Sequence, residues 1–325
     1  MTRGVGVFLL KNNIYVLVAL LFFIPLATMD TFQSAGNITV LMKNISLWGI
    51  MAIGMSIVLL LGVFDMSLGM MVSLITILVV YSAKQWGLAA AIGVAVAAGL
   101  ACGGLNGLII TKLKINPFIT TLGTQVLFKG IALAITSGSP VANTNEALAG
   151  LFEVKILSLP FITLTLPMLV MFASLFAVEY VLRNTKLGHD IYVTGGNIEA
   201  ARYVGISTDF MYFVGYMGVG LFAGITAVLL ASFQGSGNAA FGESFTLQSI
   251  AACVLGGISL MGGYGNAIRA IFGVAALQLI IKILYYTASG LVNLQVGIIG
   301  VILIVVLFVD KFSTSLMRRA QVGSR

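Results

Sequence analysis

The chain has 325 residues, of which 59% are hydrophobic and 8% are charged, and its formal net charge is +7. A soluble protein of this length does not bury so much apolar surface, so the composition excludes an ordinary soluble domain and indicates a membrane protein. The positive charge is explained by membrane topology and does not indicate a nucleic-acid partner.

Runs of about 20 apolar residues recur along the chain and predict an all-α polytopic membrane protein with about ten transmembrane helices in a single domain, residues 1–325. The first span is about as long as a true span and lacks a clear small-residue cleavage site, so we expect a retained anchor. The predicted spans are Asn13–Met29, Ile45–Val63, Ser67–Ala83, Gly87–Ile110, Pro117–Thr136, Phe161–Leu182, Phe210–Ser232, Phe245–Gly262, Ala267–Thr287 and Leu291–Val309.

The distribution of Lys and Arg predicts the orientation, because cytoplasmic loops carry an excess of both. With the N-terminus inside, most of the 17 basic residues fall on the cytoplasmic side. The acidic Glu146, Glu153 and Glu243 then lie in outer loops. We therefore predict that both termini are cytoplasmic and that the number of spans is even.

Glycine spacing and proline positions predict local structure. Gly99, Gly103 and Gly107 are four residues apart and, like Gly220 and Gly224, form a stripe on which another helix can pack closely. Asn116 and Pro117 predict a helix start, and Pro160 is expected to begin a span in the same way. The segments Gly49–Gly69 and Ser249–Gly265 share a weak pattern, which leaves an internal repeat open.

Leu182 to Ile206 is the longest polar stretch of the chain, and Arg183, Lys186 and Arg202 place it on the cytoplasmic side. A short amphipathic helix after the Gly195-Gly196-Asn197 turn suits docking to a soluble partner. This loop, about residues 183–208, indicates a membrane subunit of a complex in which a separate protein supplies the energy.

Asp65 lies in a break between two hydrophobic segments, Gly62 to Gly69. An ionisable group near the membrane is costly and is a candidate for a solute or proton site. Its carboxylate could also cap the following helix, an interpretation we favour. The two roles are compatible if the break lies beside the pathway.

Other polar groups within spans could line a hydrophilic path or bond between helices. Glu179 is adequately explained by an i,i+4 pair with Arg183, and His189 by a solvated loop position. Cys102 and Cys253 are expected to be packing residues. The candidates for the pathway or for helix caps are Asp65, Ser67, Asn106, Phe118, Thr120, Thr121 and Gln248; Thr124, Gln125 and Gln278 are further polar groups within spans.

Nothing in the sequence indicates an enzyme: it has no GxxxxGK[ST] phosphate cradle, no HExxH and no clustered metal ligands. We therefore expect no catalytic residue, metal or bound cofactor. An ion-coupled transporter or channel is the alternative to a permease driven by a separate ATPase. That alternative often needs buried acids on the path, for which only Asp65 and Glu179 are near-candidates.

Five segments, in order, resemble the permease subunits of bacterial ABC importers of the ribose/xylose/arabinose/galactose and autoinducer-2 class. The resemblance covers nearly the whole chain, and the segments lie at matching positions in the predicted topology. The segments are Gly62–Gly69, Asn116–Gly123, Thr136–Val141, Leu187–Ile206 and Ile250–Gly257 with Gly262-Gly263.

The resemblance implies a permease in the bacterial inner membrane that imports a sugar or similar small neutral polar solute. It also implies a second permease copy or a paralogue, a periplasmic solute-binding protein, and an ABC ATPase subunit that holds ATP and Mg. The coupling residues implied for the ATPase are Gly188, Gly195, Gly196, Asn197, Glu199, Ala200, Arg202 and Gly205.

One departure from the family pattern bears on the solute. Family members usually carry Glu-Leu-Asp where this chain has Thr246-Leu247-Gln248. The loss of two acids implies altered docking of the binding protein, a different solute, or a partner permease that supplies the acids.

Overall fold

The computed structural model describes residues 13–29 and 32–287, with Gly297, Gly300, Val301 and Ile304 beyond them. Its helices are α1 (Asn13–Thr28), α2 (Ala35–Leu60), α3 (Leu68–Lys112), α4 (Pro117–Thr136), α5 (Glu146–Gly150), α6 (Leu166–Asn184), α7 (Lys186–Gly196), α8 (Ile198–Tyr203), α9 (Thr208–Gln234), α10 (Phe245–Leu255) and α11 (Ala267–Thr287), with a 3₁₀ turn at Leu151–Glu153. Two short antiparallel ribbons pair β1 (Val141–Ala142) with β4 (Ser236–Gly237) and β2 (Lys155–Ser158) with β3 (Thr163–Thr165).

Within the described ranges, six helices are long and apolar enough to cross a membrane: α2, α3, α4, α6, α9 and α11. Two shorter apolar helices, α1 and α10, accompany them. The prediction of an all-α polytopic membrane protein is confirmed at this level. The predicted span Leu291–Val309 lies almost wholly outside the described residues.

Helix α3 contains 45 residues, which at 1.5 Å per residue is about 68 Å, roughly twice the hydrocarbon thickness of a bilayer. Gly87 interrupts it with φ 84° and ψ 178°, a conformation that side-chain-bearing residues rarely adopt. The two arms on either side of Gly87 correspond to the predicted spans Ser67–Ala83 and Gly87–Ile110.

The glycine stripes of α3 and α9 pack against each other and form the axis of the bundle. An ideal Cβ on Gly220 would lie 2.0 Å from the carbonyl oxygen of Gly99, and one on Gly103 would lie 2.2 Å from that of Tyr216. Only glycine allows the two backbones to approach this closely. The predicted role of these stripes in close packing is confirmed.

Several predicted boundaries are wrong. The span expected from Phe161 begins at Leu166, because Pro160 lies in the turn of the β2–β3 ribbon and Pro167 occupies the first turn of the helix instead. Helix α2 starts at Ala35, where the Ser34 hydroxyl accepts from the Asn37 N–H at 3.2 Å. At α4 the predicted start is confirmed, since the Asn116 side chain accepts from the Phe118 N–H at 2.9 Å.

The eighth predicted span, Phe245–Gly262, is a helix only as far as Leu255. Before it, residues 238–244 form a non-helical return segment that runs along the first arm of α3. Its Asn238 N–H donates to Thr76 Oγ1 at 3.3 Å and its Gly242 N–H to Ser73 Oγ at 2.7 Å. Non-helical backbone at membrane depth needs such partners, because lipid supplies none.

Candidate functional site

A fully buried polar cluster lies in the break between α2 and α3. Asp65 Oδ1 accepts from the Ser67 N–H at 2.8 Å and from Ser67 Oγ at 2.6 Å. Asn106 Nδ2, from the second arm of α3, donates to Asp65 Oδ2 at 3.2 Å and to Ser67 Oγ at 2.9 Å. These donors and the N-terminus of α3 stabilise a carboxylate that has no exposed surface.

The break is joined to α10 by Thr246. Thr246 Oγ1 accepts from the Gly69 N–H at 3.0 Å and donates to the Met66 carbonyl at 3.1 Å. Gln248 is also buried, and its Nε2 donates to Ser244 Oγ at 3.2 Å. Both side chains thus make contacts inside this chain.

The three candidates on α4 differ in exposure. Phe118 is 45% exposed and meets Phe64 edge to face, with ring centroids 5.8 Å apart. Thr121 is buried and its hydroxyl donates to the Pro117 carbonyl at 2.9 Å. Thr120 Oγ1 is buried with no hydrogen-bond partner among the described residues. The structure therefore brings Phe118 beside the Asp65 break and leaves the two threonines facing the bundle.

Four glycines join α7 to both breaks in the bundle, and we call them the glycine joint: Gly62, Gly195, Gly262 and Gly263. The Gly263 N–H donates to the Leu60 carbonyl at 2.9 Å. An ideal Cβ on Gly195 would lie 1.8 Å from that same oxygen, and one on Gly262 would lie 2.6 Å from the Gly195 carbonyl oxygen. The end of α7 thus rests directly on backbone.

Two side chains reinforce this joint. Glu179 on α6 pairs with Arg183 through Oε1, as its spacing predicts, and its Oε2 accepts from the N–H of Ala267, the first residue of α11. Tyr192 on α7 donates to the Gly265 carbonyl at 2.7 Å. Burial, followed by the nearby Glu179 carboxylate, raises the pKa of Tyr192, so its hydroxyl stays a donor at neutral pH.

The opposite side of α7 and α8 is exposed, and we call it the loop face: Gly196, Asn197, Glu199, Ala200, Arg202, Tyr203, Val204 and Gly205. The Asn197 side chain accepts from the Ala200 N–H at 3.0 Å and begins α8. Tyr203 is 91% exposed and Val204 is 72% exposed. Sequence reasoning missed these two apolar residues, although they interrupt a polar stretch.

The eight predicted coupling residues therefore divide into two groups. Gly188 packs against the end of α6, where an ideal Cβ would lie 2.3 Å from the Val181 carbonyl oxygen, and Gly195 belongs to the glycine joint. The others lie on the loop face: Gly196, Asn197, Glu199, Ala200, Arg202 and Gly205. The segment formed by α7 and α8 thus carries an exposed face, mostly on α8, and a backbone contact with the bundle at Gly195 in α7.

Comparison with known proteins decides the class. A family model described as a branched-chain amino acid transport system / permease component matches residues 37–307. The chain belongs to this family of permease components. It is a transmembrane permease subunit of an ABC importer, as the five segments predict.

Relatives of this permease are named as subunits of import systems. The LsrC autoinducer 2 import system permease protein of Photorhabdus luminescens is 31% identical over 313 residues, which cover 93% of this chain and 91% of the relative. The RbsC ribose import permease protein of Escherichia coli K12 is 32% identical over 268 residues, which cover 79% of this chain and 81% of the relative. No solved structure matches.

The described part of the permease holds no group of three or more His, Cys, Asp or Glu side chains that could bind a metal ion. Cys102 and Cys253 are free thiols, and Cys253 donates to the Ala52 carbonyl from a buried position. His189 pairs with Asp190 at 3.3 Å and has a side chain that is 72% exposed.

Proposed function

We propose that this permease forms the membrane pathway of an importer for a sugar or a similar small neutral polar solute. Relatives at 31% and 32% identity are named for autoinducer 2 and ribose import. The chain carries 8% charged residues, which suits a path for an uncharged solute. A binding protein on the outer side would deliver the solute to a pair of permeases, two copies of this chain or this chain and a paralogue.

The observation that carries this proposal is the two-sided arrangement of α7 and α8. On one side the loop face presents Tyr203 and Val204 to a soluble partner. On the other side Gly195 touches the breaks after α2 and α10 through backbone atoms. An ATPase that binds the loop face would displace the breaks as it closes. This displacement would shift the permease from one of its two conformations to the other. ATP and Mg would be held by that ATPase, and this subunit would perform no catalysis itself.

The proposed topology has ten spans and cytoplasmic termini in a bacterial inner membrane, in one domain with the coupling loop at about residues 183–208. The two arms of α3 count as separate spans, α1 and α10 would add two more, and the predicted span Leu291–Val309 lies almost wholly outside the described residues. An internal repeat is supported by α2 and α10, since each ends in a glycine-containing break that precedes another helix. The two breaks meet where Gly62 touches Gly262.

Gly196→Trp tests the coupling role. A Cβ at Gly196 meets nothing within 4 Å, so the bulky side chain should fit the isolated permease and cover the loop face. We expect loss of ATPase co-purification and of ATP-driven uptake, with an unchanged melting temperature. Gly36→Trp is the control, because Gly36 is equally open but lies at the other end of the bundle, at the start of α2. Normal ATPase association of Gly196→Trp would refute the proposal.

A further inference from the structure

An ion pair between Lys129 on α4 and Glu243 in the return segment lies well inside the length of the helices. Lys129 Nζ is 2.8 Å from Glu243 Oε1. Lys129 comes twelve residues after Pro117 and seven before Thr136, the two ends of α4. At 1.5 Å per residue these separations are about 18 Å and about 10 Å. Glu243, predicted from the sequence to lie in an outer loop, contacts this part of α4.

The first arm of α3 gives a second measure of depth. Gly242, next to Glu243, donates from its N–H to Ser73 Oγ at 2.7 Å. Ser73 lies fourteen residues before the interruption at Gly87, which corresponds to about 21 Å of helix. Both helices therefore place the ion pair in the membrane interior.

The ion pair is nevertheless on the surface of the single chain. The Lys129 side chain is 44% exposed and that of Glu243 is 57% exposed. Charged side chains at this depth are costly against lipid and usually face the interior of a bundle or a water-filled cavity. This surface is therefore not one that hydrocarbon covers.

Two further side chains, Gln125 and Phe118, lie on the same side of α4 as Lys129. Gln125 lies four residues before Lys129, one helical turn away. Its Oε1 is buried without a hydrogen-bond partner among the described residues. Phe118, seven residues further back, is on the same side and touches Phe64 next to the Asp65 break.

Resting on the proposed function, we propose that Lys129, Glu243 and Gln125 form the mid-depth wall of the solute path and bind the hydroxyl groups of an uncharged polyol. An ammonium group supplies three donors, a carboxylate supplies acceptors, and an amide nitrogen supplies donors. The three side chains together carry no net charge, so they can form hydrogen bonds with a neutral solute without attracting an ion. The interface with the second permease would then leave this strip open to water.

Cysteine accessibility tests this inference. Glu243→Cys is introduced into a chain with Cys102→Ala and Cys253→Ala, and the assembled complex with its ATPase is treated in nanodiscs with a negatively charged methanethiosulfonate. The thiolate is the reactive form, and it forms in water and not in lipid. Phe176→Cys is the control, because Phe176 lies mid-way along α6 and is 71% exposed among apolar residues.

We expect the E243C thiol to react at least about tenfold faster than the F176C thiol, since only the former is hydrated. Excess D-ribose should slow the E243C reaction and leave the F176C reaction unchanged. Equal, slow reaction of both thiols in the complex would show that the ion pair is sealed by the second permease, and the inference would be wrong. A fast E243C reaction that D-ribose does not slow would refute the contact with solute.

The two proposals fail in different ways. If the proposed function is wrong, the ATPase does not co-purify with the unmodified permease, whatever the reactivity of E243C. If only the further inference is wrong, the complex assembles and hydrolyses ATP while the E243C thiol remains protected from the reagent.

Discussion

At the scale of single residues, Asp65 illustrates how a carboxylate is accommodated inside an apolar bundle. Its two oxygens receive three hydrogen bonds, from the Ser67 backbone, the Ser67 hydroxyl and the Asn106 amide. All three groups are fully buried. These contacts favour the structural role of Asp65 over a solute-binding one, and its relation to the solute path stays a prediction.

Asp65→Asn is expected to lower stability and to spare transport. The amide oxygen still accepts from the Ser67 N–H, but the charge-assisted bonds are lost, at a cost of about 1–3 kcal/mol. Thermal unfolding in detergent measures the first effect, and uptake per folded molecule measures the second. Ser67→Ala is the control for loss of the hydroxyl alone. Abolished uptake at an unchanged melting temperature would instead place Asp65 on the path.

The sequence predicts Asp65 and Asn106 as separate candidates and cannot predict their contact. They are 41 residues apart, and they meet because the second arm of α3 returns past the break. Phe118 and Thr121 are likewise predicted as candidates from the sequence. Phe118 contacts Phe64, whereas the Thr121 hydroxyl donates to the Pro117 carbonyl of its own helix. Side-chain type indicates polarity within a span, and only tertiary packing decides which way each group faces.

At the scale of elements, α6 and α7 are connected to α11 through side chains that reach across the bundle. Glu179 accepts from the first N–H of α11, and Tyr192 binds the carbonyl of Gly265 just before it. The start of α11 thus depends on residues more than 70 positions earlier in the chain. Helix α11, which begins at Ala267, is thereby attached to one of the helices that carry the loop face.

Glu179→Ala is expected to loosen the start of α11, because the Ala267 N–H loses its acceptor in a buried setting. Hydrogen exchange of the backbone at residues 267–270 should become faster. In Arg183→Ala, by contrast, an ion pair with one exposed partner is removed, which is worth at most about 1 kcal/mol, and exchange there should stay slow. Equal protection in both variants would show that Glu179 does not hold this helix end.

Element boundaries were predicted well where the signal is local and poorly where it is not. Asn116 and Pro117 predict the start of α4 because cap and first turn are adjacent in sequence. Pro160 misleads, since proline suits both a helix start and the turn between β2 and β3. The hydrophobic run from Phe245 continues past Leu255, but Gly256 and Gly257 end the helix there.

At the scale of the whole molecule, the contact between α3 and α9 organises the bundle. Gly99, Gly220 and Gly224 bring the two backbones together without intervening side chains. The remaining helices are arranged around this pair, with α4 against α3 and α2 against α9. Close packing of small residues is what lets helices associate when lipid is as apolar as their side chains.

Gly103→Ala and Gly104→Ala form a matched pair that tests this axis. A methyl on Gly103 would lie 2.2 Å from the Tyr216 carbonyl oxygen, whereas a methyl on Gly104 meets nothing within 4 Å. We expect Gly103→Ala to lose about 1–3 kcal/mol through separation of α3 and α9, and Gly104→Ala to be close to neutral. Thermal melting of the purified permease distinguishes them, and equal melting temperatures would contradict the observed packing.

The glycine joint has a consequence for signal fidelity. Flexible side chains between two helices would absorb small displacements of either helix by changing rotamer. Gly195 meets the carbonyl of Leu60 and the backbone of Gly263 with no side chain in between. If an ATPase displaces α7 as proposed, the displacement would reach both breaks directly through these backbone contacts. Substitution at these glycines is therefore poorly tolerated, because any side chain would separate the backbones that are in contact.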